Sequence, residues 1–284
     1  MNGTSITTST RDLIKKYDFK IAKKFGQNFL VDESILKAII DCSELSKDDC
    51  VLEIGPGLGV MTQVLCEKAG KVLAVEIDRK LIPILKVSLF GFDNVNIINE
   101  DILKLDLKAV LKENFGDSPV KVVANLPYYI TTPIIMRLLE EGINFKSITV
   151  MVQKEVGERL AADPGGKDYG ALTVAVQYRC IPNKIMIVPP ESFIPQPEVE
   201  SMVVRLDSRD QPPVDLKDEK MYFRVVKASF GQRRKTLLNA LSAGNLGKTK
   251  EEVKELLDRN GIDEKRRGET LSLEEFARIA NDII

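Results

Sequence analysis

Histidine is absent from the sequence. That excludes a Ser-His-Asp or Cys-His nucleophile, a histidine general base and a His-ligated zinc. Long apolar runs are also missing. Stretches such as Val122–Ala124 and Ile185–Val188 fall far short of the ~18 residues a membrane span requires. The Ser/Thr-rich opening carries no apolar core segment, so neither a membrane anchor nor a secretory signal is expected. Cysteine is scarce. Cys42, Cys50, Cys66 and Cys180 lie among apolar residues without the paired spacing of metal ligands, and they read as reduced, packed thiols of a cytoplasmic protein without a metal.

What remains is a globular composition, 44% hydrophobic and 29% charged, over 284 residues. At roughly 100–200 residues per domain this allows one large domain or two of moderate size. The net charge of −1 hides an asymmetry. Met1–Leu30 carries Arg11, Lys15, Lys16, Lys20, Lys23 and Lys24 against Asp12 and Asp18. Met221–Ala240 carries Arg224, Lys227, Arg233, Arg234 and Lys235 against no acid, on a body that is otherwise acidic. Clustered cations on an acidic body point to a polyanionic partner, with solvated exposed faces as the alternative.

From about Asp49 short apolar runs alternate with helical stretches. Cys50–Ile54, Val72–Val75, Val95–Ile98, Val120–Ala124 and Ser147–Val152 read as strands, with helices over Gly59–Lys68, Arg79–Leu89 and Pro133–Glu141 between them. Near-continuous apolar strands separated by helices predict a doubly wound, Rossmann-like α/β sheet. Ligands of such sheets sit beyond the carboxyl ends of the strands. Two more strands are expected at Leu172–Tyr178 and Lys184–Val188, and a last one at Val203–Leu206. Ser208–Pro213 reads as a linker. Beyond it the pattern is helical, with Thr249/Glu252 and Ser272/Glu275 spaced as capping boxes. The expected organisation is a flexible extension over residues 1–20, an α/β domain over 21–207 and a small helical domain over 214–284.

The strand ends carry the chemistry. Glu53-Ile54-Gly55-Pro56-Gly57-Leu58-Gly59 joins a strand to a helix with glycines that permit a sharp bend and close backbone approach. Alone, such a loop also fits a plain tight turn or another nucleotide site. Its G-x-G-x-G spacing is tighter than the pyrophosphate fingerprint. The acid Glu53 before the first glycine would repel phosphate and suits a cationic ligand. Glu76 is placed to accept both hydroxyls of a ribose, and Asp101 to accept from an adenine amino group or to cap a helix. The constellation resembles the S-adenosylmethionine-dependent methyltransferases, whose cofactor is a phosphate-free sulfonium.

Asn125-Leu126-Pro127-Tyr128, at the next strand end, resembles the catalytic motif of methyltransferases acting on adenine N6. An exocyclic amine delocalises its lone pair into the ring and is a poor nucleophile. Acceptors at the Asn125 side chain and the Leu126 carbonyl favour a pyramidal nitrogen and offset its developing charge. Pro127 restricts Leu126 to extended geometry, and Tyr128 can stack on the extruded base. No general base is needed before attack, in keeping with the absence of histidine. The competing reading of the motif is a turn capping the following helix.

From about Lys23 onward the chain resembles the bacterial small-subunit ribosomal RNA adenine N6,N6-dimethyltransferases. The opening Lys24-Phe25-Gly26-Gln27-Asn28-Phe29-Leu30 matches that family's first motif and implies cofactor contacts from Asn28 and Leu30, beside Gly55, Gly57, Gly59, Glu76, Asp101 and Asn125. Phe193–Ser201 resembles its F-x-P-x-P-x-V-x-S segment, implying that Phe193 faces the target adenine opposite Tyr128, with a buried core aromatic as the alternative. Ser229–Leu237 resembles its basic signature, implying RNA contacts from Arg233, Arg234 and Lys235 alongside Arg224 and Lys227. The resemblance implies two methyl transfers to each of two adjacent adenosines in the 3′-terminal hairpin of the small-subunit RNA, within an assembling 30S subunit, by a monomer in the cytoplasm. Competing readings are the large-subunit adenine dimethyltransferases of macrolide resistance, a non-catalytic nucleic-acid-binding factor on the same fold, and, more distantly, a nicotinamide-dependent oxidoreductase.

Overall fold

A computed structural model of the chain describes residues 10–16 and 26–283. It comprises α1 (Thr10–Lys16), β1 (Phe29–Leu30), α2 (Glu33–Cys42), β2 (Cys50–Ile54), α3 (Val60–Lys68), β3 (Lys71–Glu76), α4 (Ile82–Ser88), β4 (Val95–Asn99), α5 (Leu107–Phe115), β5 (Val120–Asn125), α6 (Thr131–Glu140), β6 (Phe145–Gln153) and α7 (Lys154–Leu160). There follow α8 (Ala171–Arg179), β7 (Cys180–Val188), β8 (Phe193–Ile194), β9 (Ser201–Ser208), α9 (Glu219–Gly231), α10 (Leu237–Ser242), α11 (Lys250–Arg259) and α12 (Leu273–Ile283). Among the described residues no helix is long and apolar enough to cross a membrane.

The chain divides into two compact units. The first takes the residues up to Gly157 and Asn183–Ser208; the second takes Glu158–Pro182 and everything from Arg209 onward. The main sheet runs in the order β4-β3-β2-β5-β6-β9-β7. β4, β3, β2, β5 and β6 pair in parallel, and β9 joins β6 antiparallel. Every residue of β2 is buried and so is nearly all of β3 and β5, which is why their interiors are apolar apart from Glu53 and from Lys121, the latter paired with Asp49 at 3.1 Å. The order reverses at β2/β5, so the loops after these strands diverge and open a crevice. A two-stranded ribbon of β1 and β8 pairs Leu30 with Phe193.

Three expectations need correction. Leu172–Tyr178 is not a strand but the body of α8. Its Val and Thr residues favour β structure locally, yet Thr173–Val176 and Tyr178 are buried, and the Thr173 hydroxyl caps the helix by accepting from Gly170 N at 3.0 Å. Glu158–Pro182 does not belong to the α/β unit. Tyr169, Val174 and Tyr178 pack with Tyr222, Val225 and Phe276 in the core of the helical unit. Nor is the whole of residues 1–20 a flexible extension. Leu13 is buried against Phe29, Leu58 and Leu81, and Thr10 Oγ1 donates to the Leu30 carbonyl at 2.7 Å. Residues 1–9 and 17–25, including Lys20, Lys23, Lys24 and Phe25, lie outside the described residues. Both capping boxes form, Thr249 with Glu252 and Ser272 with Glu275.

Candidate active site

A cavity opens over the carboxyl ends of β2, β3 and β5. Gly55–Leu58, Glu53, Glu76, Asn125–Ile130 and the strap Gly26–Leu30 line it. The bend after β2 needs glycine: φ is +71° at Gly55, +60° at Gly57 and +85° at Gly59, a region L side chains rarely enter. At Gly57 an added Cβ would stand 3.0 Å from the Phe29 ring of the strap. Gly59 serves differently from expectation. It does not line the cavity; a Cβ there would stand 3.0 Å from Leu85, so its bareness lets the start of α3 approach α4.

Glu53 is fully buried, with neither carboxyl oxygen in a hydrogen bond. Burial pushes its pKa up to about 8; the Thr62 hydroxyl opposes the shift without meeting it in a hydrogen bond, and the charge of Glu76 adds to it. Glu76 is held differently. Its Oε2 accepts from Gly57 N at 3.1 Å and its Oε1 from Asp78 N at 2.7 Å. Burial raises it to about 7, against those two amides. A carboxylate has about four acceptor positions, so two remain for a diol. An unpartnered buried acid, a second acid with spare acceptors and a bend closed to any Cβ fit a cationic, ribose-bearing cofactor and offer phosphate nothing.

Asn125 ends β5. Its Nδ2 donates to the Asn28 carbonyl at 3.0 Å, which turns Oδ1 away from the strap as an acceptor. Leu126 N is tied to the Met151 carbonyl at 3.0 Å, and Pro127 (φ −59°, ψ 130°) is extended. The turn is closed by Ile130 N and Thr131 Oγ1, both donating to the Pro127 carbonyl. Tyr128 is half-buried, its hydroxyl 2.6 Å from Ser201 Oγ, and burial raises its pKa. The strap is pinned again by Gln27 Nε2, which donates to Asp78 Oδ2 at 3.1 Å. The sequence marks Ser201 only as the last residue of the F-x-P-x-P-x-V-x-S segment and does not mark Asp78; the role of each rests on a contact remote along the chain.

Besides Gly59, two more expected residues stand apart from the cavity. Asp101 follows β4 and does not line it; its Oδ1 accepts from Leu103 N at 2.9 Å, closing a turn, while its charge helps to raise Tyr129. Phe193 is 1% exposed in the apolar core with Leu36, Ile39 and Val203 and does not line the cavity either. Although its partner Leu30 reaches the cavity, the Phe193 ring is enclosed among apolar side chains, so here the core-aromatic alternative describes it. The expected cations lie in the helical unit. Arg224 and Lys227, one turn apart on α9, flank a groove with Gln232, Gly244 and Asn245, and Arg224 donates to the Asn245 carbonyl at 2.7 Å. Arg233 braces its own unit by donating to the Lys167 and Tyr169 carbonyls; Arg234 and Lys235 are exposed.

Five parallel strands joined by the antiparallel β9, a glycine bend over β2, an acid at the end of β3 and an Asn-Leu-Pro-Tyr turn after β5 define an S-adenosylmethionine-dependent methyltransferase of the Rossmann-like class. The chain belongs to the family described as ribosomal RNA adenine dimethylase, whose model matches residues 18–283. It is 53% identical over 283 residues to the ribosomal RNA small subunit methyltransferase A of Alkaliphilus oremlandii, covering 100% of this chain and 99% of that one. The protein of the same name from Clostridium acetobutylicum is 50% identical, covering 97% and 98%. Among solved structures it is similar to a dimethyladenosine transferase from Plasmodium falciparum (26% identity, TM-score 0.75, covering 88% of this chain and 95% of that one). It is also similar to the 23S rRNA methyltransferase ErmE (26% identity, TM-score 0.69, covering 90% and 99%).

Proposed function

We propose that the chain dimethylates N6 of two adjacent adenosines in the 3′-terminal hairpin of small-subunit ribosomal RNA, acting in the cytoplasm as a monomer on an assembling 30S subunit. When bound, S-adenosylmethionine supplies a methyl group on a positively charged sulfur. Glu53 and the glycine bend receive the charged end of the cofactor, Glu76 its ribose hydroxyls, and Asn28 and Leu30 of the strap cover it. Asp101, which stands outside the cavity wall but acts through its charge on Tyr129 of that wall, is assigned the adenine amino group through the carboxylate oxygen its turn leaves over.

The observation that carries the reading is the orientation of Asn125. With Nδ2 committed to the Asn28 carbonyl, Oδ1 is preset as an acceptor beside the cavity. Oδ1 and the Leu126 carbonyl accept from the hydrogens of the target amine, favouring a pyramidal nitrogen and offsetting the charge it develops. Such preset acceptors act more strongly on the transition state than on the ground state. Tyr128 stacks on the extruded base. Arg224, Lys227, Arg234 and Lys235 grip phosphates, while Arg233 shapes the surface on which they stand.

The test is transfer from labelled S-adenosylmethionine into isolated, unmethylated ribosomal subunits, with the modified nucleotides mapped by mass. Dimethyladenosine in the small-subunit RNA is expected; label in the large subunit alone would refute the proposal. Asn125→Ala is expected to lower kcat by roughly 10²–10³-fold, the range for removing one such preset group, with little change in cofactor affinity. An unchanged kcat would remove Asn125 from this role.

A further inference from the structure

Tyr128 is the one aromatic of the Asn-Leu-Pro-Tyr turn whose far end is tied down. Its hydroxyl lies 2.6 Å from Ser201 Oγ, a contact spanning 73 residues of sequence. Its neighbour Tyr129 is 54% exposed. Ser201 is wholly buried and opens β9, where it pairs with Gln153 across the antiparallel β6/β9 ladder. The Tyr128 main chain belongs to the turn closed on the Pro127 carbonyl by Ile130 and Thr131. The ring is thus fixed at both ends, by a turn that follows β5 and by a hydroxyl on the sheet.

We propose that Ser201 is a positioning residue for methyl transfer: its hydroxyl tethers the Tyr128 phenol so that the ring keeps one orientation at the cavity and presents a fixed face to the base. An aromatic that stacks on an extruded base needs no hydroxyl for the stacking itself, since the interaction is made by the ring face. A phenol anchored to a buried serine therefore has a different use. Holding the ring before the base arrives removes the ordering that would otherwise accompany binding. Burial of the Tyr128 hydroxyl keeps it protonated and able to donate. Ser201 does not touch base or cofactor in this scheme and acts through Tyr128 alone.

The proposal rests on the stacking role given to Tyr128, and the experiment separates the two. Tyr128→Ala, Tyr128→Phe, Ser201→Ala and the double variant Ser201→Ala/Tyr128→Phe are assayed for methyl transfer to unmethylated small subunits, and for S-adenosylmethionine binding by titration. Loss of one hydrogen bond corresponds to roughly a 2- to 12-fold effect. Ser201→Ala and Tyr128→Phe are each expected to lower kcat/KM for the subunit by that factor, and the double variant by no more than either single one. Cofactor affinity is expected to stay unchanged in all. Additive losses, or a full-activity Ser201→Ala enzyme with an impaired Tyr128→Ala enzyme, overturn the tether and leave the stacking role standing. An active Tyr128→Ala enzyme overturns the stacking role and the tether with it.

Discussion

Glu53→Gln is the perturbation with the clearest arithmetic. The carboxyl is fully enclosed, lacks any hydrogen-bond partner and shares the cavity with Glu76 from β3; Thr62 and Cys66 of α3 are the other polar or titratable groups that sense it. With its pKa pushed up to about 8, about a tenth of the free protein carries an ionised Glu53 at pH 7. If the cationic end of the cofactor requires the carboxylate, apparent affinity is reduced by that fraction, about tenfold or 1.4 kcal/mol. Affinity should then rise about tenfold per pH unit below pH 7 and level off above pH 8, and binding at pH 7 should release about one proton. Glu76, raised to about 7, adds a smaller share.

Calorimetric titration with S-adenosylmethionine between pH 6 and 9, in buffers of different ionisation enthalpy, counts these protons. Glu53→Gln should remove the larger share, leave that of Glu76 and weaken binding above pH 8. Affinity that is flat from pH 6 to 8, or a proton count unchanged in the variant, would refute the reasoning. The same burial acts on folding. A folded pKa above the ordinary 4.5 means that folding takes up a proton; the associated stability is fully present below about 4.5 and lost as pH rises through about 8. Between pH 4.5 and 7 the loss is on the order of 3 kcal/mol. Gln keeps the shape but cannot ionise, though its buried N–H groups cost about 1–3 kcal/mol if unmet. Denaturant midpoints at pH 5 and 8 should therefore fall less in the variant than in the parent.

Glu76→Ala strips the acceptor from Gly57 N and Asp78 N and should weaken cofactor binding by at least about tenfold; an unaltered titration would count against the ribose role. Gly59→Ala places a Cβ at φ +85° and 3.0 Å from Leu85. It should destabilise the fold by about 1–2 kcal/mol yet leave cofactor affinity of the folded protein near its original value, because Gly59 does not line the cavity. Lys227→Ala should lower the slope of log affinity against log salt for small-subunit RNA by about one, without touching cofactor titration; an unchanged slope would mean that its groove does not hold phosphate.

The legible parts of this protein share one physical cause. Strands covered on both faces are apolar along most of their length, so the polar residue that follows such a run marks a strand end, and Glu76 and Asn125 stand out as soon as the runs are seen; Asp101 closes the polar stretch Asn99-Glu100-Asp101 after the edge strand β4. Glu53 breaks the same rule from inside β2, which is why its chemistry could be read without its neighbours. The misread parts need information that no local window holds. Ala171–Arg179 carries Val and Thr in a pattern that suits a strand, and only its burial beside Tyr222 and Val225 selects the helix. Phe193 sits in a strand of two residues, too short for alternation to say which face it takes; its packing against Leu36, Ile39 and Val203 decides, and puts it in the core. The Tyr128–Ser201 tether joins two elements that the chain reaches 73 residues apart. A residue that chemistry forces into a place where packing would refuse it is therefore visible in the sequence, whereas one that works by holding another becomes visible only once the sheet brings the pair together.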